Sequence, residues 1–156
     1  MGNPINEGDY MFETITSLLP KLQRAEFGEW IIDKVNDGSP EHPIQFPFVA
    51  YDSVVTDLKN AIYCFGEEHK EMELNHYGDI LGAENIEWNA VSMKKADVSE
   101  LNGRTVMALL VGAIRAERFC DGALLNFCKE GSIEKWLQRL KEIDECRNER
   151  GMNNDG

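Results

Sequence analysis

The sequence runs VMALLVGAIRAERFCDG from Val106 to Gly122, and this stretch is the most informative in the chain. Its first nine residues, 106–114, carry no charge and no strongly polar group, and a charged segment follows them directly. A helix that is apolar nearly all round is typical of a position inside a protein core. We therefore predict a central buried helix that begins at Asn102 or Thr105 and has the other helices packed around it.

The length of 156 residues is that of one domain. A chain of this size buries roughly 68–70% of its unfolded surface, which is enough for a core without disulfides. We predict a single, mainly α, bundle-like domain over residues 9–147, with five or six helices and room for a small two-stranded β element. Residues 1–8 and 148–156 are polar and glycine-bearing, and we predict that they form a disordered lead and a disordered tail.

The spacing of apolar residues and the capping residues predict where the other helices lie. Residues 12–22 have helical spacing after an N-cap at Asp9, and Pro20 is expected to kink or end this helix. Residues 27–35 are predicted to form a second short helix. Further helices are predicted over residues 54–65, 123–131 and 132–143.

The clearest irregular region is residues 36–50, where a turn cluster is followed by two more prolines. Ile44, Phe46 and Phe48 alternate in this region, and we interpret it as a loop that its aromatic side chains pin to the core. If a β element is present, its predicted strands are residues 44–49 and 86–93.

The charge of the chain restricts its partners. The net charge is −12, and residues 1–78 carry 14 acidic and 5 basic side chains. Nucleic-acid binding needs a basic surface, so we expect no direct contact with nucleic acid. A protein partner with a basic surface, or mimicry of the charge of DNA, fits the acidity better, and solubility alone also explains it. No apolar run is long enough for a membrane span, and we expect no signal peptide.

The charged end of the central helix is the candidate ligand-binding site. It contains Arg115, Glu117, Arg118 and Asp121, which fall on helical i, i+3 and i, i+4 spacings. The arginines can clamp a phosphate or carboxylate, and the acids can hold a divalent cation. The alternative interpretation is a structural network that ties the helix end to its neighbours.

Nothing in the sequence predicts a cofactor or a metal site. The thiol of Cys120 would need a base such as His42, His69 or His76 nearby to act as a nucleophile, and no spacing indicates one. Cys64, Cys120, Cys128 and Cys146 match no zinc pattern, and a reduced protein is the simpler interpretation. Phosphate-binding glycine loops and hydrolase elbows are also absent. Trp30, Trp88 and Trp136 are predicted to pack in the core, and a surface tryptophan would instead indicate a binding groove.

The stretch RAERFCDG (Arg115 to Gly122), followed by GSIEKWLQRLKEI from Gly131 to Ile143, resembles an uncharacterised bacterial domain family of unknown function. The looser similarity covers residues 9–145 and includes the Leu-Leu-Pro near the start. The resemblance implies a bacterial or bacteriophage source and a cytoplasmic location, but no reaction, substrate or ligand.

Three functional hypotheses follow. The first is a non-enzymatic interaction or accessory module, because no recognisable catalytic motif is present. The second is a small-molecule or nucleotide-handling enzyme that uses Arg115, Glu117, Arg118 and Asp121. The third is an acidic inhibitor that mimics DNA, which requires a continuous negative face over residues 7–73. The oligomeric state is not predicted by the sequence.

Overall fold

The apolar run forms a helix, α6 (Gly103–Ala116), in the computed structural model, which describes the backbone of residues 10–154 and the side chains of residues 10–147. The Asn102 side chain caps this helix by accepting a hydrogen bond of 2.9 Å from the Thr105 N–H. Every residue from Thr105 to Ile114 is buried, and α6 contacts four of the other α-helices. The prediction of a central buried helix is confirmed.

The remaining elements are short and surround α6. The α-helices are α1 (Glu13–Thr16), α2 (Leu19–Arg24), α3 (Ser53–Glu68), α4 (Tyr77–Ala83), α5 (Ala90–Lys95), α7 (Ala123–Lys129) and α8 (Ser132–Asn154). Two strands, β1 (Gly28–Ile31) and β2 (Phe48–Tyr51), form one antiparallel sheet. Short 3-10 helices span Lys70–Met72, Leu74–His76 and Val98–Glu100. A mainly α domain with a small two-stranded β element is therefore confirmed.

The core uses the apolar stripes that the sequence predicts. In α3 the buried residues are Val54, Val55, Leu58, Ile62 and Phe65, and in α8 they include Ile133, Trp136, Leu137 and Leu140. Both stripes follow helical spacing, so each helix turns one face towards α6 and the other towards solvent. Both helices contact α6 directly.

The N-terminal helical region is divided in two at Ser17 and Leu18. Pro20 lies in the first turn of α2 and does not end a helix. The backbone N–H groups of a first turn have no partner within the helix, so the missing N–H of proline costs no hydrogen bond there. The first segment is fastened to α8 by Asp144, whose Oδ2 accepts a hydrogen bond of 2.9 Å from the Phe12 N–H. Burial of this carboxyl raises the pKa of Asp144. The predicted lead, residues 1–8, and the N-cap at Asp9 lie outside the described residues, as do the side chains of the predicted tail, residues 148–156.

Two local predictions are wrong. Residues 27–35, predicted as a helix, instead contain β1, because Trp30, Ile31 and Ile32 favour extended backbone. Residues 86–93, predicted as a strand, contain the start of α5, which Asn89 caps by accepting a hydrogen bond of 2.8 Å from the Ser92 N–H. The strand that pairs with β1 is β2, with Trp30 opposite Val49 and Ile31 opposite Phe48.

Candidate functional site

The four predicted site residues do not form one cluster. Arg115 points towards α3, where its guanidinium carbon lies 5.7 Å from the centroid of the Tyr63 ring. It lines a cavity of about 440 Å³ whose other charged residues are Glu67, Lys70 and Glu73. Glu117, Arg118 and Asp121 are not among the residues that line this cavity. Arg118 and Asp121 are exposed on the turn between α6 and α7.

Two of the four residues carry a carboxylate, and that of Glu117 points inwards. Its Oε1 accepts hydrogen bonds from the Tyr51 hydroxyl at 2.7 Å and from the Leu124 N–H at 2.9 Å. Its Oε2 accepts a bond of 3.0 Å from the Gly122 N–H. The Leu125 N–H in turn donates to the Tyr51 hydroxyl oxygen at 3.0 Å. The pair therefore satisfies backbone donors at the start of α7 that the helix itself cannot satisfy.

This arrangement controls the ionisation of two neighbouring groups. Burial raises the pKa of Tyr51 well above its ordinary value, and the hydrogen bond to Glu117 and the negative charge of that carboxylate add to the effect. Burial, with the same charge, raises the pKa of Cys128 to about 12. Tyr51 is therefore a neutral donor at physiological pH, and Cys128 is an unreactive buried thiol.

Tyr51 lies at the end of a segment that projects from the helical core, residues 28–51, which we call the arm. Its base is held by a hydrogen bond of 2.8 Å from the Asp52 N–H to the Phe27 carbonyl. Trp30 packs on Gly122, where an added Cβ would lie 2.5 Å from the Trp30 Cζ2. Gly122 also has a φ of +88°, which favours glycine. The turn between α6 and α7 therefore anchors the arm at two points, through Glu117 and through Gly122.

The far end of the arm is ordered by its own hydrogen bonds. Asp33 accepts from the backbone N–H groups of Val35 and Asn36, both at 3.0 Å, and from the Gln45 N–H at 2.8 Å. These bonds hold the pKa of Asp33 well below its usual range. A second turn is closed by the Gly38 N–H, which donates to the carbonyl of residue 42 at 2.9 Å. The loop is thus folded without being buried.

The arm exposes six large apolar side chains to solvent. These are Trp30, Ile32, Val35, Ile44, Phe46 and Phe48, of which Val35 is 92% exposed and Phe46 is 87% exposed. The prediction that aromatic side chains pin residues 36–50 to the core is therefore wrong. The charged residues of the arm are Glu29, Asp33, Asp37 and Glu41, against the single base Lys34. The arm consequently combines exposed apolar side chains with a net negative charge.

Two of the three tryptophans predicted to lie in the core are at the surface. Trp136 is fully buried, whereas Trp30 is 43% exposed and Trp88 is 40% exposed. The sequence contains one local signal for the first strand of the arm. Gly28 followed by a tryptophan and two isoleucines, and then by a proline-rich stretch, is typical of a strand and a turn and not of a helix.

Two of the three histidines considered as a base for the exposed thiol of Cys120 have other partners. His69 stacks on Phe65 with ring centroids 4.2 Å apart, and its Nδ1 lies 3.1 Å from an oxygen of Glu71. His76 lies near Asp79. Among residues 10–147, no three histidine, cysteine or acidic side chains are grouped so that they could hold a metal ion.

A mainly α domain with an anchored apolar arm is the class of protein that these observations define. The chain belongs to DUF6508, a family of unknown function whose model matches residues 10–146. No curated protein and no solved structure matches the chain. Over the described residues, none of the helices combines the length and the apolar character that crossing a membrane requires.

Proposed function

We propose that this protein is a non-enzymatic interaction module and that the arm is its contact surface for a protein partner. The observation that carries the proposal is an ordered surface segment that keeps six large apolar side chains out of the core. Large exposed apolar side chains gathered on one segment are the kind of surface that marks interaction sites in soluble proteins. Protein interfaces also combine apolar with charged side chains.

The chemistry of the arm selects the partner. The arm carries four acidic side chains and one lysine, within a chain of net charge −12. A partner with aromatic or aliphatic anchors flanked by lysine and arginine would therefore meet both apolar and electrostatic complementarity. An acidic partner would be repelled.

A binding surface needs a rigid support, and the α6–α7 turn supplies one for the arm. Glu117 holds the arm through the Tyr51 hydroxyl, and Gly122 leaves the space that the Trp30 ring fills. A surface that is ordered before binding loses less conformational entropy when the partner docks. The stretch from Arg115 to Gly122 thus serves the interaction by positioning the arm.

We place the protein in the cytoplasm of a bacterium or of a phage-infected cell. The similarity of the Arg115 to Gly122 stretch to a bacterial family supports this placement. The free state of the cysteines at 64, 120, 128 and 146 is consistent with a reducing compartment.

The second candidate is a small-molecule or nucleotide-handling enzyme, and the observation in its favour is the cavity at Arg115. A guanidinium over an aromatic ring at the edge of a cavity can bind an anion. The same cavity, however, contains Glu67 and Glu73 as well as Lys70. Its charges balance, which disfavours a phosphate, and the interaction module is the better-supported function.

The interaction proposal is tested by selecting binders from a random phage-displayed library of dodecapeptides. We expect the selected sequences to combine aromatic or aliphatic residues with lysine and arginine. The double variant Val35→Ser/Phe46→Ser should abolish their binding while leaving the melting temperature unchanged, because both side chains are almost fully exposed.

Val91→Ser is the matched control, because Val91 is a valine of α5 that is also exposed but lies outside the arm. Peptides that bind the arm variant as well as the wild type would refute the proposal. Selected peptides rich in acidic residues would refute the partner chemistry. Binding that depends only on basic residues and disappears steeply with salt would instead support mimicry of DNA.

A further inference from the structure

We propose that a groove between α5 and α7 is a binding site for a small, neutral, planar aromatic molecule. The groove is distinct from the arm, and its volume is about 380 Å³, within the range of small-molecule sites. Its apolar lining comes from Trp88, Met93, Ala116, Phe119, Ala123 and Phe127. The inference goes beyond the proposed protein interaction, and neither depends on the other.

Small side chains create the groove. Ala90 and Met93 face it from α5, and Ala123 and Phe127 face it from α7, each pair on one side of its helix. Ala116, in the last turn of α6, lies between the two helices. Larger side chains at the three alanines would fill this space with core packing, so their small size leaves a cleft between two helices that are otherwise well ordered.

A set of polar contacts holds the two helices at this separation. The Lys94 ammonium of α5 forms an ion pair with Glu130, which directly follows α7, and it lies 5.2 Å from the centroid of the Phe127 ring. From α8, the Lys135 ammonium donates to the Lys94 carbonyl at 3.1 Å. These contacts bridge three helices, so the groove is formed before any ligand enters it.

Trp88 forms a fixed aromatic wall. Its Nε1 donates a hydrogen bond of 2.9 Å to the Gly112 carbonyl of α6. The ring approaches Gly112 so closely that an added Cβ would lie 3.3 Å from the Trp88 Cδ1. Tyr77 and Phe119 contact this ring edge-on, with centroids 5.3 and 5.7 Å away. Although it is so constrained, Trp88 remains 40% exposed, and Phe119 beside it is 79% exposed.

The lining determines the chemical class of the ligand. Lys94 is the only charged residue among those that line the groove, and Glu130 already neutralises it. An anion or a cation would therefore enter an apolar site without a counter-charge, which is unfavourable. A planar ring can instead contact the aromatic wall in the stacked or edge-on geometry that such pairs prefer. The exposed amide of Asn126 is the group that can orient one hydroxyl or carbonyl of the ligand.

The probe is 2-naphthol, with 2-naphthoate and 2-naphthylmethylammonium as charged counterparts, titrated into the full chain labelled with ¹⁵N. The indole N–H signal of Trp88, assigned with Trp88→Phe, should shift saturably with 2-naphthol at a Kd below about 1 mM. Each charged counterpart should bind at least about tenfold more weakly.

Ala123→Leu places a larger side chain in the groove and should weaken 2-naphthol binding about tenfold or more. Ala90→Leu, on the opposite wall, is the second variant and keeps the test decisive if the first variant does not fold. Ala83→Leu, at an exposed position of α4, is the control and should bind like the wild type. No saturable shift with 2-naphthol, or a shift that both groove variants retain, would overturn the proposal. Preferred binding of naphthoate or of the ammonium compound would overturn the neutral ligand class.

Discussion

The helix α6 and the arm are built from similar apolar residues but place them on opposite sides of the protein boundary. From Thr105 to Ile114 every side chain of α6 is buried, whereas Val35 and Phe46 of the arm are almost fully exposed. The difference lies in what surrounds them. α6 is enclosed by helices, while the arm is joined to the core at its base and at the α6–α7 turn.

The helix α6 and the arm differ in how much they contribute to stability. Burial of apolar side chains is the dominant favourable contribution to folding, so α6 carries a large share of the stability. The exposed apolar side chains of the arm contribute little to it, and a free two-stranded sheet is marginal in water. Such a surface is what the proposed interaction with a partner requires.

The largest expected effect tests α6 against the arm directly. Leu110→Ala should lower the free energy of unfolding by about 2–5 kcal/mol, because it leaves a cavity at a fully buried position. Val35→Ala, on the arm, removes apolar atoms from an exposed side chain and should change it by less than about 0.5 kcal/mol. Urea unfolding measures both. Similar losses for the two variants would contradict the division between a stabilising helix and an exposed arm.

A smaller effect tests the contact between the arm and the α6–α7 turn. Gly122→Ala must adopt a positive φ and also bring a Cβ against the Trp30 ring, so we expect a loss of about 2–4 kcal/mol. Gly131 has a similar φ of +82° but open space around an added Cβ. Gly131→Ala should therefore cost only about 1–2 kcal/mol.

Chemical denaturation of the two glycine variants isolates the contribution of Trp30, because the backbone strain is common to both. Tryptophan fluorescence provides a second readout, since only Gly122→Ala should change the environment of Trp30. Equal stability losses and unchanged spectra would show that the tryptophan contact does not hold the arm.

The sequence predicts α6 well because its nine apolar residues leave only one solution, a helix buried on all sides. The stripe from Val54 to Phe65 and the helix over residues 132–143 are equally legible, since helical periodicity and burial agree there. Local signals were enough for these two helices.

The sequence fails where contacts between distant residues determine the backbone. Within residues 27–35, Gly28–Ile31 become a strand because residues 48–51 pair with them, and no local pattern states that pairing. The alternation of Ile44, Phe46 and Phe48 correctly indicates extended chain, but periodicity cannot tell whether apolar side chains face a core or solvent.

The charged end of α6 makes contacts that the sequence did not predict. Spacing drew attention to the charged end of α6. It could not show that the Glu117 carboxylate accepts a hydrogen bond from Tyr51, a residue 66 positions earlier in the chain. The partners of Glu117 are a hydroxyl and backbone amides, and not the arginines beside it. Whether Arg115, Arg118 and Asp121 bind a ligand stays a prediction.

The smallest expected effect concerns Tyr51 and depends on pH. Tyr51→Phe removes the donor to Glu117 and the acceptor for the Leu125 N–H, and should cost about 1–3 kcal/mol at neutral pH. The fold raises the pKa of Tyr51, so its contribution is complete below the ordinary tyrosine pKa of 10.0 and is lost as pH rises through the folded value.

Melting temperatures of the wild type and Tyr51→Phe, measured from about pH 8 to pH 11, test this contribution. The wild type should be the more stable protein at the lower end of the range, and its advantage should shrink above pH 10.0 because only its residue 51 can ionise. Tyr63→Phe is the control, since Tyr63 lies under Arg115 on α3 and away from the arm. A constant difference between wild type and Tyr51→Phe across the range would mean that the hydroxyl does not hold the arm to Glu117. A difference that shrinks as described would identify one proton on Tyr51 as the link between the buried helix and the exposed arm.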